Sequence, residues 1–487
     1  MTQMRALYGA LISTLVLAAG CGGQQVGAVD GGSPAGELKA GALVYSESVT
    51  DPESDQWQQA DELLRRFPDG EKWIAELRRM VAKEGVDWEQ DVKPALGGTT
   101  AVVVYPASGG EPEVVGLTNP EDPDKTVALA AKLDQSGSPT VTRVVGAWVV
   151  LADSDAAIDA TLQTGSGGSL ADEEGFKAAM DELPDDALTR VYADPARALE
   201  AFGSSDQDAA RVFGMLGLDR LDFAGAWAKA KDDGAELAFT AGGEGAAELL
   251  GTGEPYTSAL LQRVPEDAFA FISFQGRGVT RQFEQFRDNP LFSMAYQQFE
   301  RELGIELDEV VALLDGEVAF YARPGVPIPE LTVLLDSDNA EQARASADNL
   351  LRVLARKADA PVTEDGDVTT AVFDQLTVNL AALDGLVVLT TSKRALTELT
   401  ESGDKLPDSD RFKAALETAG VPDEYTGLAY IELAEVVALL QVYLETTGSA
   451  EQLPPEVARN LEALTSLVAW GTLDGDLATA LAFLEID

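Results

Sequence analysis

The amino-acid sequence predicts an α+β protein built from two similar tandem halves, each a mainly antiparallel sheet packed with amphipathic helices. Three observations support this prediction. Short apolar runs typical of strands alternate with amphipathic segments typical of helices along the chain. Hairpin-like neighbours outnumber strand–helix–strand crossovers, which favours antiparallel pairing. The order of segments in the first half also recurs in the second half.

The N-terminal segment predicts the cellular location of the protein. One cation lies within residues 1–5, residues 6–19 are apolar, and small residues lead to Cys21, the only cysteine in the chain. This pattern is typical of a signal peptide, and residues 17–21 (LAAGC) resemble the lipobox of bacterial lipoproteins. We therefore expect residues 1–21 to be a lipoprotein signal peptide with Cys21 as the lipidated residue. The alternatives are an ordinary secretory signal with a chance cysteine and an uncleaved anchor, but the apolar run is short for a membrane span.

The remainder of the chain is predicted to form a tether and two folded halves. Residues 22–37 are mostly Gly-rich and would be a flexible tether with a reach of roughly 20 Å. The first half is expected over residues 38–250 and the second over residues 257–487. A turn-rich connector near residues 251–255 joins them. The protein would then be extracytoplasmic and held at the cell membrane by its lipid.

In the first half, predicted strands alternate with predicted helices. A helix is expected over residues 56–83 with a break near Pro68, and Trp73, Met80 and Val81 lie on one apolar face of its second part. A further helix begins within residues 119–123, another follows residues 153–155, and a third contains residues 176–179. The predicted strands are residues 42–45, 99–105, 113–117, 141–145, 148–151, 223–230 and 235–240.

The second half repeats this order, which predicts an internal duplication. The segments 315–324 (DGEVAFYARP) and 97–106 (GGTTAVVVYP) correspond, and so do the two FKAA segments at 412–415 and 176–179. Chance similarity between segments rich in alanine and valine is the alternative, although the shared order is harder to explain by chance than any single match.

The composition excludes several classes of function. There are 83 acidic and 35 basic residues, and the net charge of −48 repels phosphate backbones, so we expect no nucleic-acid partner. The membrane contact is expected to be the lipid anchor. The chain has no histidine, which excludes a Ser-His-Asp triad and histidine-ligated metals. A lipidated Cys21 would leave no thiol for catalysis or clusters. We therefore expect no cofactor, no metal and no catalytic residue, and predict that the protein is not an enzyme.

Together, the lipobox, the opening strand with its amphipathic helix, the repeated strand blocks and the FKAA segments resemble a family of bacterial envelope proteins known only as a domain of unknown function. The resemblance covers most of residues 38–487. It implies an extracytoplasmic protein of two parts and implies no active-site residues.

Acidic clusters are the first candidate sites. They lie at residues 51–55, 153–155 and 336–338, and none fits the calcium-loop pattern. Each precedes a predicted helix, so we expect helix capping rather than metal binding. Paired carboxylates for glycoside hydrolysis are the enzymatic possibility that survives the lack of histidine, but the sequence nominates no pair.

Apolar segments are the second kind of candidate. A stripe of Phe283, Phe286, Phe292, Tyr296, Phe299 and Leu303 could line a groove for an apolar ligand, although packing on the sheet is the expected role. The run 428–444 contains two glutamates and is expected to be a buried strand–helix unit rather than a membrane span.

The sequence thus predicts a lipid-anchored protein with a binding or structural role in the cell envelope. A carrier or sensor of an apolar envelope ligand is the first alternative, and a carboxylate-dependent hydrolase is the second.

Overall fold

The computed structural model describes residues 32–487 except 84, 107–111, 135–139, 164–166, 204–216, 250–252, 288–289, 326–327, 338, 375, 402 and 448–453. The predicted signal peptide, Cys21 and residues 22–31 of the predicted tether lie outside the described residues. The described end of that tether is not free, because Pro34 and Ala35 are buried in a short 3-10 helix capped by Ser33. The prediction of a flexible tether as far as residue 37 is therefore wrong from Pro34 onward.

The chain divides into two compact units. The first comprises Met1–Ala246 with Ile486–Asp487, and the second comprises Ala247–Glu485. Each unit combines helices with an antiparallel sheet, which confirms the α+β class.

The first unit follows the predicted alternation of strands and helices. Its elements are β1 (Val44–Val49), α1 (Asp55–Arg66), α2 (Gly70–Lys83), β2 (Gly97–Tyr105), β3 (Glu113–Pro120), α3 (Pro123–Asp134), β4 (Val141–Val145), β5 (Trp148–Ala152), α4 (Asp155–Thr161), α5 (Glu174–Glu182), β6 (Thr189–Ala193), α6 (Pro195–Gly203), β7 (Phe223–Lys231) and β8 (Gly234–Gly242). The break between α1 and α2 confirms the predicted interruption near Pro68. The paired strands follow the order β4-β5-β3-β2-β1-β6-β7-β8, and every one of these pairs is antiparallel.

A short helix, α7 (Ala246–Leu249), follows β8. The later elements are β9 (Ala270–Gln275), α8 (Gly276–Arg287), α9 (Pro290–Leu303), α10 (Leu307–Val311), β10 (Glu317–Arg323), β11 (Glu330–Asp336), α11 (Ala340–Lys357), β12 (Val362–Asp365), β13 (Val368–Phe373), β14 (Leu376–Leu383), β15 (Leu386–Thr390), α12 (Lys393–Glu398), α13 (Asp410–Ala419), β16 (Gly427–Glu432), α14 (Leu433–Thr447), α15 (Pro455–Leu461), β17 (Leu464–Asp474) and β18 (Leu477–Ile486). Antiparallel pairs give the order β12-β13-β14-β15-β11-β10-β9-β16-β17. With β12 and β13 left out, this order corresponds strand for strand to the first unit's order β4-β5-β3-β2-β1-β6-β7.

The FKAA helices α5 and α13 each place a phenylalanine in the core of their unit. Phe176 makes edge-to-face contacts with Tyr45 and Tyr192, both with ring centroids 5.2 Å apart. In the second unit, Phe412 contacts Tyr430 in the same way at 5.0 Å. These aromatic contacts hold each helix against the central strands of its sheet.

Candidate functional site

The first two acidic clusters cap helices, as the sequence predicts. The Trp57 backbone amide donates to Ser54 Oγ at 3.4 Å at the start of α1. The Ala157 amide donates to Ser154 Oγ at 3.2 Å at the start of α4. These bonds satisfy amides that a helix N-terminus otherwise leaves unpaired.

The third acidic cluster does not cap its helix. The Gln342 amide donates to Asn339 Oδ1 at 3.2 Å, so Asn339 is the cap of α11. The Ser337 Oγ accepts a hydrogen bond from the backbone amide of Asn339 itself, at 3.3 Å, rather than from an amide of the helix. The prediction is wrong for this cluster, and Asp338 lies outside the described residues. Within the part of the chain that the structure describes, no three acidic or thiol side chains are grouped so that they could hold a metal ion.

A buried carboxylate lies near the centre of the first unit's sheet. Glu47 accepts hydrogen bonds from Tyr45 Oη at 2.6 Å and from Arg190 Nε at 2.8 Å. Arg190 also reaches the exposed Asp185 at 2.6 Å. Burial, with the Glu47 charge as the next cause, raises the pKa of Tyr45 well above its usual value. Both carboxylate oxygens of Glu47 are thus occupied, one by Tyr45 and the other by Arg190.

The second unit also holds a buried carboxylate, Glu317, which has different partners. It accepts from Ser273 Oγ at 2.8 Å, from the Ala259 amide at 2.9 Å and from the Leu260 amide at 3.2 Å. Ser258 Oγ donates to it as well. Glu317 lines a polar cavity of about 410 Å³, but its oxygens are already occupied by these four donors. Its visible role is to hold residues 258–260 against the sheet.

The aromatic stripe is not a core face in its described part. Phe283 and Tyr296 are half-buried and contact each other with ring centroids 4.7 Å apart. Phe299 is 40% exposed. The side chains of Phe286, Phe292 and Leu303 lie outside the described residues. The expectation that this stripe packs into the core is therefore wrong for Phe299.

The apolar run 428–444 divides into a buried strand and a less buried helix. Leu428 and Tyr430 of β16 are buried, whereas Leu440 and Val442 of α14 are 38% and 51% exposed. The expectation of a buried unit is thus correct for the strand and wrong for the helix. None of the helices that the structure describes combines the length and the apolar character that crossing a membrane requires.

The sheet of the second unit carries an apolar surface on the side opposite its core. Because neighbouring residues of a strand point to opposite faces, Ile272 faces away from the core residues Phe271 and Ser273. Directly paired residues share a face, so two rows across five strands can be read from the register. The first row is Val333, Phe320, Ile272, Ala429 and Ala469, and the second is Leu331, Ala322, Ala270, Ile431 and Leu467. We call these two rows the outer face.

Every residue of the outer face is apolar, and its middle is open. Ile272 and Phe320, which pair directly, are 43% and 42% exposed, and Leu331 is 51% exposed. The Phe320 ring is stacked with Phe274, with centroids 6.3 Å apart. The neighbouring part of this side is covered by α11, whose Leu351 belongs to the same buried cluster as Val318 and Leu335.

The amphipathic helices that follow β9 and β16 are largely accessible in their described part. Within the described residues of α8, α9 and α14, Gly276 is the only buried one. The second unit therefore combines an open apolar sheet surface with amphipathic helices that have accessible side chains. An exposed apolar surface of this kind is typical of a binding site.

The corresponding side of the first unit has a polar residue at the centre of one row and a helix on part of its surface. Ser46 lies between Val102 and Val191, at the position that Ile272 occupies in the second unit. In addition, α1 packs on β7, and Gln56 makes two hydrogen bonds with the Ala230 backbone, at 3.0 and 2.9 Å. The first unit also exposes Phe239 and Leu237 of β8 on this side, by 39% and 59%, so the two units differ in the central residue of the row, which is serine in one and isoleucine in the other.

Sequence reasoning missed the outer face. A signal was present, because β9 (AFISFQ) and β10 (EVAFYAR) carry apolar residues on both faces. Such runs are typical of strands that are buried on both sides. Only the structure reveals that one side lacks a full cover.

The chain was compared with known proteins. A family model described as "Protein of unknown function (DUF3352)" matches residues 125–469. No curated protein matches the chain. Two solved structures of a protein designated TP0453, in crystal forms III and IV, are 13% and 12% identical to this chain. The matches cover 46% and 47% of this chain and 78% and 81% of theirs, with TM-scores of 0.25 and 0.24. At such low scores, we base no argument on these two structures.

Proposed function

Since the chain belongs to this family of proteins of unknown function, we propose that it is a lipid-anchored, non-enzymatic binding protein of the cell envelope that holds an apolar ligand on the outer face. The observation that carries this proposal is the pair of apolar rows centred on Ile272 and Phe320. Cys21 would carry the lipid that keeps the protein at the membrane, outside the cytoplasm. The sequence pattern of residues 1–21 supports the proposed location, and the outer face supports the proposed binding.

The ligand should be neutral where it meets the protein. The outer face contains no charged side chain, so burial of hydrocarbon would be the main source of affinity. The net charge of −48 would repel an anionic ligand at long range. A neutral lipid or a neutral apolar metabolite fits both conditions.

We also propose that the two units arose by duplication and then diverged. The matching strand order of the sheets and the shared aromatic contacts of Phe176 and Phe412 support this. Divergence would have replaced Ser46 by Ile272, and the hydroxyl pair of Ser48 and Thr189 by Phe274 and Gly427 in the row beside the outer face. Ser48 and Thr189, whose hydroxyl oxygens are 2.9 Å apart, lie on the side of the first unit's sheet that corresponds to the outer face.

The hydrolase alternative has weaker support. Glu47 is paired with Arg190, and Glu317 is saturated by four donors. A glycosidase needs one carboxyl that can give up a proton and a second that can act as a base or nucleophile. The oxygens of both buried groups already accept hydrogen bonds within the protein, so neither carboxyl faces a substrate.

The anchor is tested by Cys21→Ala in a bacterial host that acylates lipoproteins. We expect loss of acylation, with either unprocessed precursor or protein released from the membrane fraction, as measured by mass spectrometry of the N-terminal peptide and by fractionation. A C21A protein that is processed normally and still needs detergent for extraction would disprove the anchor.

Ligand binding is tested with a pyrene-labelled diacylglycerol as a neutral apolar probe. Ile272→Ser introduces the residue type that the first unit has at Ser46, and it should weaken binding roughly fivefold, because part of the contribution of one isoleucine is lost. Leu237→Ser is the matched control, since Leu237 is 59% exposed but lies in the first unit. Equal affinities of I272S and L237S would exclude the outer face as the site.

A further inference from the structure

In the described part of the first unit, β4 is the last strand at one edge of the sheet. Among the residues that the structure describes, Val141–Val145 pair with β5 and with no other strand. At the corresponding edge of the second unit, the additional hairpin of β12 and β13 pairs with β14. The two units therefore differ in whether this edge has a neighbouring strand.

The register identifies the backbone groups that β4 presents at this edge. Val145 and Trp148 flank a two-residue turn in which Gly146 has a φ of +59°, the position where a type II′ turn favours glycine. Hydrogen-bonded and non-hydrogen-bonded pairs alternate from such a turn, so Val145 and Arg143 bond to β5. The amides and carbonyls of Thr142 and Val144 consequently point away from β5.

The second unit indicates what can occupy this position. Counted from the β14–β15 turn, which also has two residues, Leu380 corresponds to Thr142. Leu380 pairs with Thr369 of β13 in an antiparallel register. An extended strand rich in β-branched residues, here VTTAVF, is therefore the occupant that this fold accepts at this edge.

The usual protection of an edge strand is weak at β4. Proteins block such edges with proline, with lysine, with bulges or with a covering element. No proline or lysine lies in Val141–Val145, and the pairing with β5 has no irregularity. Arg143 is the only charged residue of the strand, and its guanidinium is bound to Asp155 and Asp159 of α4. Val144 remains 52% exposed.

We propose that the edge of β4 is a docking site for an extended, basic peptide segment of a partner protein, which adds to the sheet as an antiparallel strand. Charge determines the choice of partner. A second copy of this chain would bring another net charge of −48, so self-pairing is opposed by repulsion. Asp155 and Asp159, whose side chains are 72% and 69% exposed beside the strand, share the single guanidinium of Arg143, so one net negative charge remains there and favours lysine or arginine in the incoming segment.

The test uses the full chain and a synthetic peptide with the β13 sequence VTTAVF and two lysines at each end. The first control peptide carries proline in place of its alanine and has the same charge, so it measures non-specific attraction to an acidic protein. Fluorescence anisotropy at physiological salt should show saturable binding of the first peptide and at least tenfold weaker binding of the second. Equal binding of both peptides, or no saturable binding of the first, would overturn the proposal.

Val144→Pro tests the location. Proline removes an amide that β5 does not use and is tolerated on edge strands, so the fold should be retained while affinity for the peptide falls about tenfold. Val144→Thr keeps the amide and should bind the peptide within about twofold of the unmodified chain. Unchanged binding by V144P would place the peptide elsewhere.

Hydrogen exchange on the unmodified chain gives an independent measurement if V144P does not fold. Peptide binding should slow exchange of the Thr142 and Val144 amides, and unchanged exchange there would contradict the proposal. A sedimentation experiment that finds a dimer abolished by V144P would identify a second copy as the occupant and overturn the choice of partner. The proposed function is tested through Cys21 and Ile272, so its failure would be seen separately. The docking site depends on the proposed duplication for the comparison with β13 and for the probe peptide.

Discussion

Replacing Arg190 with methionine should destabilise the first unit by about 3 kcal/mol. Removing one partner from a buried ion pair typically costs about 3–5 kcal/mol because the remaining charge is left without compensation. The side chains of Arg190 and Glu47 are 19% and 11% exposed, so partial solvation should place the cost at the low end of that range. The bond to Asp185 adds little, since that side chain is 98% exposed.

The distribution of tryptophan makes the first unit measurable in the intact chain. Five of the six tryptophans lie at positions 57, 73, 88, 148 and 227 in the first unit, and the sixth is Trp470. Urea unfolding followed by tryptophan fluorescence should therefore report mainly on the first unit. A loss of about 3 kcal/mol corresponds to a melting temperature lower by roughly 6–12 °C for a unit of this size.

Two further variants determine whether the ion pair is the cause. Asp185→Asn should change the free energy of unfolding by less than about 0.5 kcal/mol. The double variant Glu47→Met with Arg190→Met should recover at least half of the loss, because it removes the unpaired charge as well. A loss below about 1 kcal/mol in R190M, or a double variant no more stable than R190M, would refute the reasoning.

Three other expectations follow from the charges and the core. Burial raises the pKa of Tyr45 and of six other described tyrosines above the value in an unfolded chain. Their contribution to the free energy of unfolding should be fully present below about pH 10 and should decrease as the pH rises further. Tyr45→Phe should make this decrease less steep by roughly 1.4 kcal/mol per pH unit. An unchanged slope in alkaline unfolding curves would count against this. The melting temperature should rise with sodium chloride concentration, because salt screens the repulsion within a chain of net charge −48. Calcium added in physiological salt should then change the melting temperature little. A saturable rise with calcium, measured against a chelator control, would instead indicate a metal site. Phe176→Ala should cost about 3–5 kcal/mol in urea unfolding, since it removes two edge-to-face contacts from the core; a loss under about 1.5 kcal/mol would mean that the core closes around the cavity.

Local features could be predicted from the sequence because their causes lie within a few residues. Ser54 and Ser154 cap helices through amides three positions further along the chain. A helix was predicted at the FKAA segment of residues 176–179, and helical periodicity places its phenylalanine and the alanine three residues later on one buried face. Antiparallel pairing was also predictable, since short connections join strands that run in opposite directions.

Long-range features were decided by the tertiary structure. Glu47 and Arg190 are 143 residues apart in sequence, and no local pattern in a chain with 83 acids distinguishes that pair from the others. The same limit applies to Phe299, whose helix has an apolar stripe but no cover. Periodicity shows which residues share a face, whereas burial depends on whether another element packs there. The amino-acid sequence by itself therefore determined the α+β class, the caps at Ser54 and Ser154 and the apolar character of β9 and β10, and only the tertiary structure decided that Ile272 and Phe320 remain accessible.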